Sequence, residues 1–371
     1  MPICQNKYSY QNSLLVFLAT IIDWIGRFFV GRRLNNANPR KINRILVIKL
    51  DNLGDCFLSL PLFDYLKRLN SAVLVDVLSL SSNRVIFEHC SAINNRYFVN
   101  RRFNILRPRM VKMIRGNRYD LIIDARGYWQ AAFLGLLSGA SERFGFAQEV
   151  GQFCYTHSFS AQANQPEIKR YATLLNKLGV IVNEWQPRLD SSKINQERFA
   201  GLINGSSRII AIHPTASLPY KFWPIDYWRQ LLVFLRQHYP NASIVILGSR
   251  SDCGFINDLF ARVADNSGKI INYAGHIDII EAYYLISQAI LFVGNDSVLG
   301  HFAGALERPT ITIMNRAIDS SRWSPLGQLT KVFMASDNGH QCRYDQCGYN
   351  CPNMMDIKPE VIIDYMRQLN I

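Results

Sequence analysis

The chain has no low-complexity tract, no repeat at a fixed spacing and no long unbroken apolar run. The first two absences exclude a disordered tether and a solenoid. The third argues against a membrane-spanning helix. The greasiest stretch, residues 14–30 (LLVFLATIIDWIGRFFV), is interrupted by Thr20, Asp23, Gly26 and Arg27. No basic leader or small-residue cleavage site marks a signal peptide. The glycine-rich GxGxxG fingerprint and the P-loop are both missing, so a phosphate would have to be held by other means. Acid is scarce in the first half: residues 1–160 carry 21 Lys+Arg against 10 Asp+Glu, whereas residues 161–371 carry 20 against 18. Nearly all of the net charge of +13 is therefore amino-terminal. Arg101, Arg102, Arg107, Arg109, Lys112, Arg115 and Arg118 form a stretch with no acid at all. Such a stretch is either a solvated face or an attraction for an anionic partner: a membrane surface, an acidic glycolipid or nucleic acid. No nucleic-acid-binding motif accompanies it, which disfavours the last.

What is present is a regular alternation of strand and helix patterns. Its 371 residues exceed one ordinary core and predict two domains. RILVIKL (44–50), AVLVDVLSL (72–80) and YDLIIDARG (119–127) read as strands. CFLSLPLFDYLKRL (56–69) and WQAAFLGLLSGA (129–140) read as helices, with Pro61 near a first turn or a kink. After an irregular polar stretch near 186–207 the pattern restarts. Strands are predicted at 208–214, 242–248, 290–296 and 309–314, and helices at 224–239, 277–289 and 299–307. This order predicts two doubly wound α/β halves with parallel sheets. Ligands in such folds sit beyond the carboxyl ends of strands, here expected in a cleft between the halves.

Residues 14–30 form a greasy helix with a narrow polar stripe, because positions 20, 23 and 27 share one face. A helix lying in the membrane interface or against the protein is preferred to a span. Arg27, Arg32, Arg33, Arg40, Lys41 and Arg44 around its end suit an anionic cytoplasmic leaflet. Of eight cysteines, Cys4, Cys56, Cys90, Cys154 and Cys253 are scattered, as in a reducing compartment. Cys342, Cys347 and Cys351 cluster near His340 with a spacing unlike a standard zinc finger. Packing thiols are the preferred reading there, with a metal site and a disulfide as the others. Trp223, Trp228, Tyr283 and Tyr284 are expected to pack, and Trp129 is the better candidate for sugar contact.

Three loops at carboxyl ends of strands carry chemistry. In KLDNLGD (49–55), Gly54 permits a tight turn, and Asp55 is either a helix N-cap or a general base. In HPTASLPYKFWP (213–224), Thr215 and Ser217 offer hydroxyls and Lys221 a cation for phosphate. In VGNDSVLGH (293–301), Asp296 and Ser297 open a helix, either as caps or as part of an anion seat.

These stretches together resemble family-9 glycosyltransferases, the bacterial heptosyltransferase family. ILVIKLDNLGDCFLSLPLFDYLK is similar to the family's amino-terminal signature, and YDLIIDARGYWQAAFLGLLSGASERFGF to its Tyr-Asp…Arg-x-Gly-Phe segment. IIAIHPTASLPYKFWP and VGNDSVLGHFAGALERPTITIM resemble its two donor-side motifs. The resemblance implies a GT-B-type fold of two Rossmann-like domains across a cleft. It assigns 1–40 to an amino-terminal segment and basic linker, 41–190 to an acceptor domain, 191–355 to a donor domain and 356–371 to a terminal helix. It implies inverting sugar transfer, with ADP-heptose as the first expectation for the donor and no cofactor or metal. The acceptor implied is a lipopolysaccharide core or related anionic glycolipid or oligosaccharide, at the cytoplasmic face of the bacterial inner membrane, with no nucleic acid involved. By position Asp55 is the implied catalytic base. Thr215, Ser217, Lys221, Asp296, Ser297, Val298 and His301 fall on the donor side, and Gly54, Arg126 and Trp129 on the acceptor side. Another nucleotide sugar, a non-catalytic homologue and a nucleotide-sugar epimerase are the alternatives. Five positions depart from the family's habit. Lys49 replaces an Arg, Asp51-Asn52 replace Ser-Ser, Thr215 replaces Gly, and Val298 replaces a small residue.

Overall fold

The computed structural model describes residues 13–30, 42–147, 150–159, 166–192, 194–205, 208–263, 268–337, 339–340, 342 and 347–369. The chain forms two compact units, Met1–Pro187 and Arg188–Ile371.

The first unit is built on six parallel strands: β1 (Arg44–Lys49), β2 (Leu74–Leu80), β3 (Arg96–Val99), β4 (Leu121–Asp124), β5 (Glu142–Phe146) and β6 (His157–Phe159). Their order across the sheet is β3-β2-β1-β4-β5-β6. The central strands are apolar throughout because helices cover both faces; in RILVIK every residue after Arg44 is buried. Leu46, Ile48, Leu78 and Ile122 pack with Ala131 and Leu134 of helix Trp129–Ser138. The second unit repeats the plan with β7 (Arg208–His213), β8 (Ala242–Ile246), β9 (Ile270–Asn272), β10 (Ala289–Asn295), β11 (Thr310–Ile313) and β12 (Thr330–Phe333). The order is β12-β11-β10-β7-β8-β9, again all parallel. Trp223 and Trp228 are fully buried in its core, edge to face, as expected of packing aromatics. The terminal helix Pro359–Arg367 adds Ile362 and Met366 to that same core.

In both sheets the chain winds outward from a central pair of strands, in one direction and then the other. The point of reversal lies between β1 and β4 in the first unit and between β7 and β10 in the second. Adjacent crossovers leave in opposite directions there, opening a crevice beyond the strand ends. Lys49–Asp55 and Asp124–Gly127 stand at the first reversal, and His213–Lys221 and Asn295–His301 at the second.

Three sequence expectations need correction. The helix read across 56–69 is two helices, Leu53–Leu58 and Leu60–Lys67. They break at Ser59, whose hydroxyl donates to the Cys56 carbonyl, and Pro61 occupies the first turn of the second, where its missing N–H costs nothing. Pro224 precedes helix Ile225–His238 as its N-cap residue rather than lying inside it. The stretch near 186–207 is not wholly irregular, since Glu197–Gly205 is helical and buries Phe199.

Helix Ser13–Val30 docks on the first unit by the face that carries Ala19, Asp23 and Gly26, whereas Thr20 of the expected polar stripe is exposed. Asp23 is buried, and its Oδ1 accepts the Gly151 N–H at 2.8 Å. Gly26 lets the Phe153 ring approach to where a Cβ would stand 2.5 Å away. The opposite face is left outward, with Phe17 62%, Trp24 73% and Phe28 82% exposed. Among the described residues no helix is long and apolar enough to cross a membrane.

Candidate active site

At the first reversal point, Lys49 ends β1 with its ammonium fully buried and 2.7 Å from Asp51 Oδ2. Burial, the largest single effect, pulls the lysine down, but Asp51, Tyr171, Glu167 and Asp55 together outweigh it, so Lys49 is held above its ordinary value. The other oxygen of Asp51 lies 3.3 Å from Arg126 Nε and accepts from the Tyr128 hydroxyl at 3.1 Å. Arg126 reaches on to Glu167, which Arg170 also pairs at 3.1 Å. Arg102, from the basic stretch, donates to the Leu50 carbonyl and lies over the Tyr128 ring at 4.1 Å.

Arg126 is aimed by Asp124, the last residue of β4. Asp124 Oδ1 accepts the N–H groups of Arg126 and Gly127, and Oδ2 accepts the Tyr155 hydroxyl at 2.6 Å. Gly127 (φ 100) completes that tight turn. Gly145 makes room for the Tyr155 ring, since a Cβ there would lie 2.2 Å from it. Burial pushes the Asp124 carboxyl up to about 6.

Asp55 is not a helix cap. Asn52 holds the N-cap position of helix Leu53–Leu58, without a side-chain cap bond, and Asp55 is the third helical residue. Among the described residues no hydrogen bond or close ion pair engages its carboxylate. Burial, then the Asp51 charge, push Asp55 up to about 6 against the pull of Lys49 and Arg126. A partly buried, unengaged carboxylate near neutrality has what a general base needs and a cap does not. Gly54 is half-buried beside it. Trp129 stands half-buried between Phe103 and Phe133, edge to face with both.

At the second reversal point, Lys221 ends a short turn after β7 and donates to Asp296 Oδ2 at 2.7 Å. Asp296 follows β10, and Ser297 is the N-cap residue of helix Val298–Ala305. The Ser297 hydroxyl does not cap the helix; it meets His213 Nδ1 at 2.9 Å. The other ring nitrogen of His213 meets the Thr215 hydroxyl at 3.1 Å. Burial lowers His213 to about 4, so a neutral ring, with one donor and one acceptor nitrogen, links the two hydroxyls at physiological pH. The first-turn N–H groups of the helix are thus left without a side-chain cap. Asn295 fixes the turn by donating to the Pro214 carbonyl at 2.7 Å. His301 is buried on the helix, lowered by burial, with Nδ1 lacking a hydrogen-bond partner among the described residues. Val298 is half-buried at the helix start, whereas Ser217 is exposed and apart from this cluster of contacts.

Sequence reasoning thus located three of the loops but missed Asp51, Asp124, Glu167, Arg170, Tyr128, Arg102 and His213 as members. Lys49 and Asp51 were visible only as two separate departures from the family; the structure joins them in one buried ion pair.

The sequence pattern of glycosyltransferase family 9 (heptosyltransferase) matches residues 107–352. Lipopolysaccharide heptosyltransferase 3 of Escherichia coli K12 is 24% identical over 288 residues, which cover 73% of this chain and 82% of that one. Lipooligosaccharide heptosyltransferase 2 of Haemophilus ducreyi is 23% identical over 348 residues, covering 88% and 99%. Among solved structures, E. coli ADP-heptose lipopolysaccharide heptosyltransferase II superposes with a TM-score of 0.71 at 22% identity, covering 87% of this chain and 97% of that one. A family-9 glycosyltransferase from Veillonella parvula gives 0.73 at 15% identity, covering 90% and 98%. The fold is accordingly of GT-B type, two doubly wound α/β units in one chain. The chain belongs to glycosyltransferase family 9, the heptosyltransferase family, and is a glycosyltransferase.

Proposed function

We propose that the protein moves a heptose from ADP-heptose, with inversion, onto an anionic acceptor of the lipopolysaccharide-core type at the cytoplasmic face of the inner membrane. The observation that carries this reading is the contrast between the two reversal points. One presents an unengaged carboxylate poised near neutrality among cations; the other presents a lysine and an uncapped helix start. The names of the similar proteins supply the donor and acceptor classes.

In this reading Asp55 takes the proton of the acceptor hydroxyl as its oxygen bonds to the anomeric carbon. The bond from that carbon to the diphosphate breaks on the opposite face, and the electron pair leaves with ADP. Lys221 and the first N–H groups of helix Val298–Ala305 stabilise that growing charge, more strongly in the transition state than in the bound donor. The nucleotide sugar is a co-substrate, and no cofactor is needed for these steps. Arg126 and Arg102 are the cations placed to hold an anionic acceptor beside Asp55. The test is transfer assayed with purified protein, ADP-heptose and a heptose-deficient core acceptor. A second nucleotide sugar used faster would replace the donor assignment, and absence of transfer from any would leave a binding homologue instead.

Lys221→Ala should weaken ADP binding about 10-fold and lower kcat about 100-fold, the scale of losing one preorganised charge partner for the leaving group. Calorimetric titration with ADP and steady-state rates give the two numbers. Unchanged affinity and rate would remove Lys221 from the donor site.

Membrane attachment rests on the outward face of helix Ser13–Val30 and on the exposed Arg101, Arg107, Arg109, Lys112, Arg115 and Arg118 of the same unit. An edge-to-face series, Phe103–Trp129–Phe133–Phe153, runs from the basic stretch to the docked helix. Greasy and basic surfaces thus belong to one unit and are linked through this aromatic series, and binding to an anionic bilayer would use both. Trp24→Glu/Phe28→Glu removes two apolar anchors worth roughly 1.5–3 kcal/mol each. Sedimentation with phosphatidylglycerol vesicles should therefore fall about 100-fold or more. Undiminished sedimentation would transfer the role to the basic face alone.

A further inference from the structure

Apart from the active site, the second unit gathers four potential metal ligands. His340 Nε2 lies 3.2 Å from Cys347 Sγ, and Cys342 Sγ lies 3.4 Å from Cys351 Sγ. All four ligand atoms fall within 4.8 Å of one another. A tetrahedral ion with bonds of about 2.3 Å to sulfur and about 2.0–2.1 Å to nitrogen has ligand–ligand edges of about 3.4–3.8 Å. Two pairs already approach that edge length, and the remaining separations exceed it by no more than about 1 Å. Cys351 is buried and the other three are half-buried, so the group is largely closed to solvent.

The surroundings suit thiolates. Asn315, just past β11, directs Nδ2 at both Cys351 Sγ (3.3 Å) and Cys342 Sγ (3.7 Å). Its Oδ1 is held by the Ala317 N–H at 2.9 Å, which fixes the amide with its donor side toward the sulfurs. A donor shared by two sulfurs is the usual outer support of a metal-bound thiolate pair.

We propose that His340, Cys342, Cys347 and Cys351 bind one zinc ion as a closed structural site. Three thiols give up their protons on binding, and the neutral imidazole supplies the fourth bond. Three soft sulfurs and one imidazole nitrogen in a tetrahedral arrangement favour zinc over magnesium, calcium or manganese. The sequence favoured thiol packing here and expected no metal. What alters the balance is His340 brought against Cys347, together with the Asn315 amide. The site also has a place in the fold. Asn315 Nδ2 lies 2.7 Å from the Tyr220 carbonyl, so the same side chain ties the cluster to the residue before Lys221. Zinc would thereby brace the turn that carries Lys221. Occupancy is independent of the donor proposal; only this consequence rests on it.

The full-length protein, purified with a reductant and without chelator, should carry about one zinc per chain by elemental analysis. Cys342→Ser/Cys347→Ser should carry below about 0.1. If that variant fails to fold, the wild-type chain stripped with EDTA under reductant serves instead. Titrated with cobalt(II), it should develop the visible absorption of tetrahedral thiolate coordination and saturate at about one equivalent. ADP affinity should fall about 10-fold on stripping and return with zinc, the scale of losing an outer support. Absence of both zinc and the cobalt spectrum would overturn the site. So would a Cys342–Cys351 disulfide in protein purified without reductant, seen as two thiols that alkylate only after reduction, because the sulfurs would then be engaged with each other. One iron per chain in place of zinc would overturn the choice of ion.

Discussion

Asp55→Asn is expected to lower kcat by about 10²–10⁴-fold while leaving ADP affinity unchanged, the range for losing a positioned general base. The side chain stands on the first unit and the proposed nucleotide seat on the second, so the two effects separate. Wild-type kcat/KM should rise with pH and level off above about 6, because only the ionised carboxylate can accept the hydroxyl proton. Asp55→Asn should abolish that limb. The sign of the stability effect is opposite to that of the rate. A carboxyl whose folded value is raised from about 3.8 to about 6 stabilises the fold most when protonated, below its unfolded value. That contribution is lost as pH rises through 6, so the ionised group costs about 1–3 kcal/mol at neutral pH. Asparagine carries no such charge, and the variant should unfold at an equal or higher temperature. A variant that was slow and also unstable would point to a structural carboxylate; one that turned over normally would end the assignment to catalysis.

His213 contributes in the other direction on acidification. Its folded value of about 4 lies below the ordinary 6.5, so protonation favours the unfolded chain. Stability from this residue is complete above 6.5 and is lost as pH falls toward 4. The neutral ring linking Ser297 and Thr215 is therefore a feature of the neutral range, where transfer is proposed to occur.

How much of this was legible depends on where each signal resides. The central strands were readable because both faces are buried, so RILVIK and RIIAIH are apolar without alternation. Short outer strands such as β3 and β6 are half-exposed and mixed in composition, and they carried no such signal. The break at Ser59 was foreshadowed by Pro61, yet its position is marked by the Ser59 hydroxyl donating to the Cys56 carbonyl, a contact with no signature in the sequence. In the site, Asp55, Lys221 and Asp296 were legible because they lie in the connections that follow strands, Asp55 in the first turn of the helix after β1. Glu167 and Arg170 were not, because they reach Arg126 from a helix more than forty residues away in sequence. His213 was visible only as a strand residue; its partners Ser297 and Thr215 become meaningful once β7 and β10 lie side by side.

The buried Lys49–Asp51 pair predicts the largest loss of stability. Asp51→Leu removes the nearest anion from an ammonium with no solvent exposure and should destabilise the first unit by about 3–5 kcal/mol in chemical denaturation. Lys49→Met should cost less, because Arg126 and Tyr128 still hold Asp51. The double variant Lys49→Met/Asp51→Leu should recover much of the loss, since an apolar pair of similar volume avoids desolvating two charges. A double-mutant cycle with no coupling would show that the two residues do not depend on each other. The same variants should move the base. Asp51 raises Asp55 and Lys49 lowers it, so Asp51→Leu should shift the acid limb of kcat/KM to lower pH and Lys49→Met to higher pH. Opposite shifts from two neighbours that pair with each other would be difficult to obtain from a packing defect, which would lower the rate without displacing the limb. The position where this chain departs from its family would then be the one that sets the ionisation of its catalytic carboxylate.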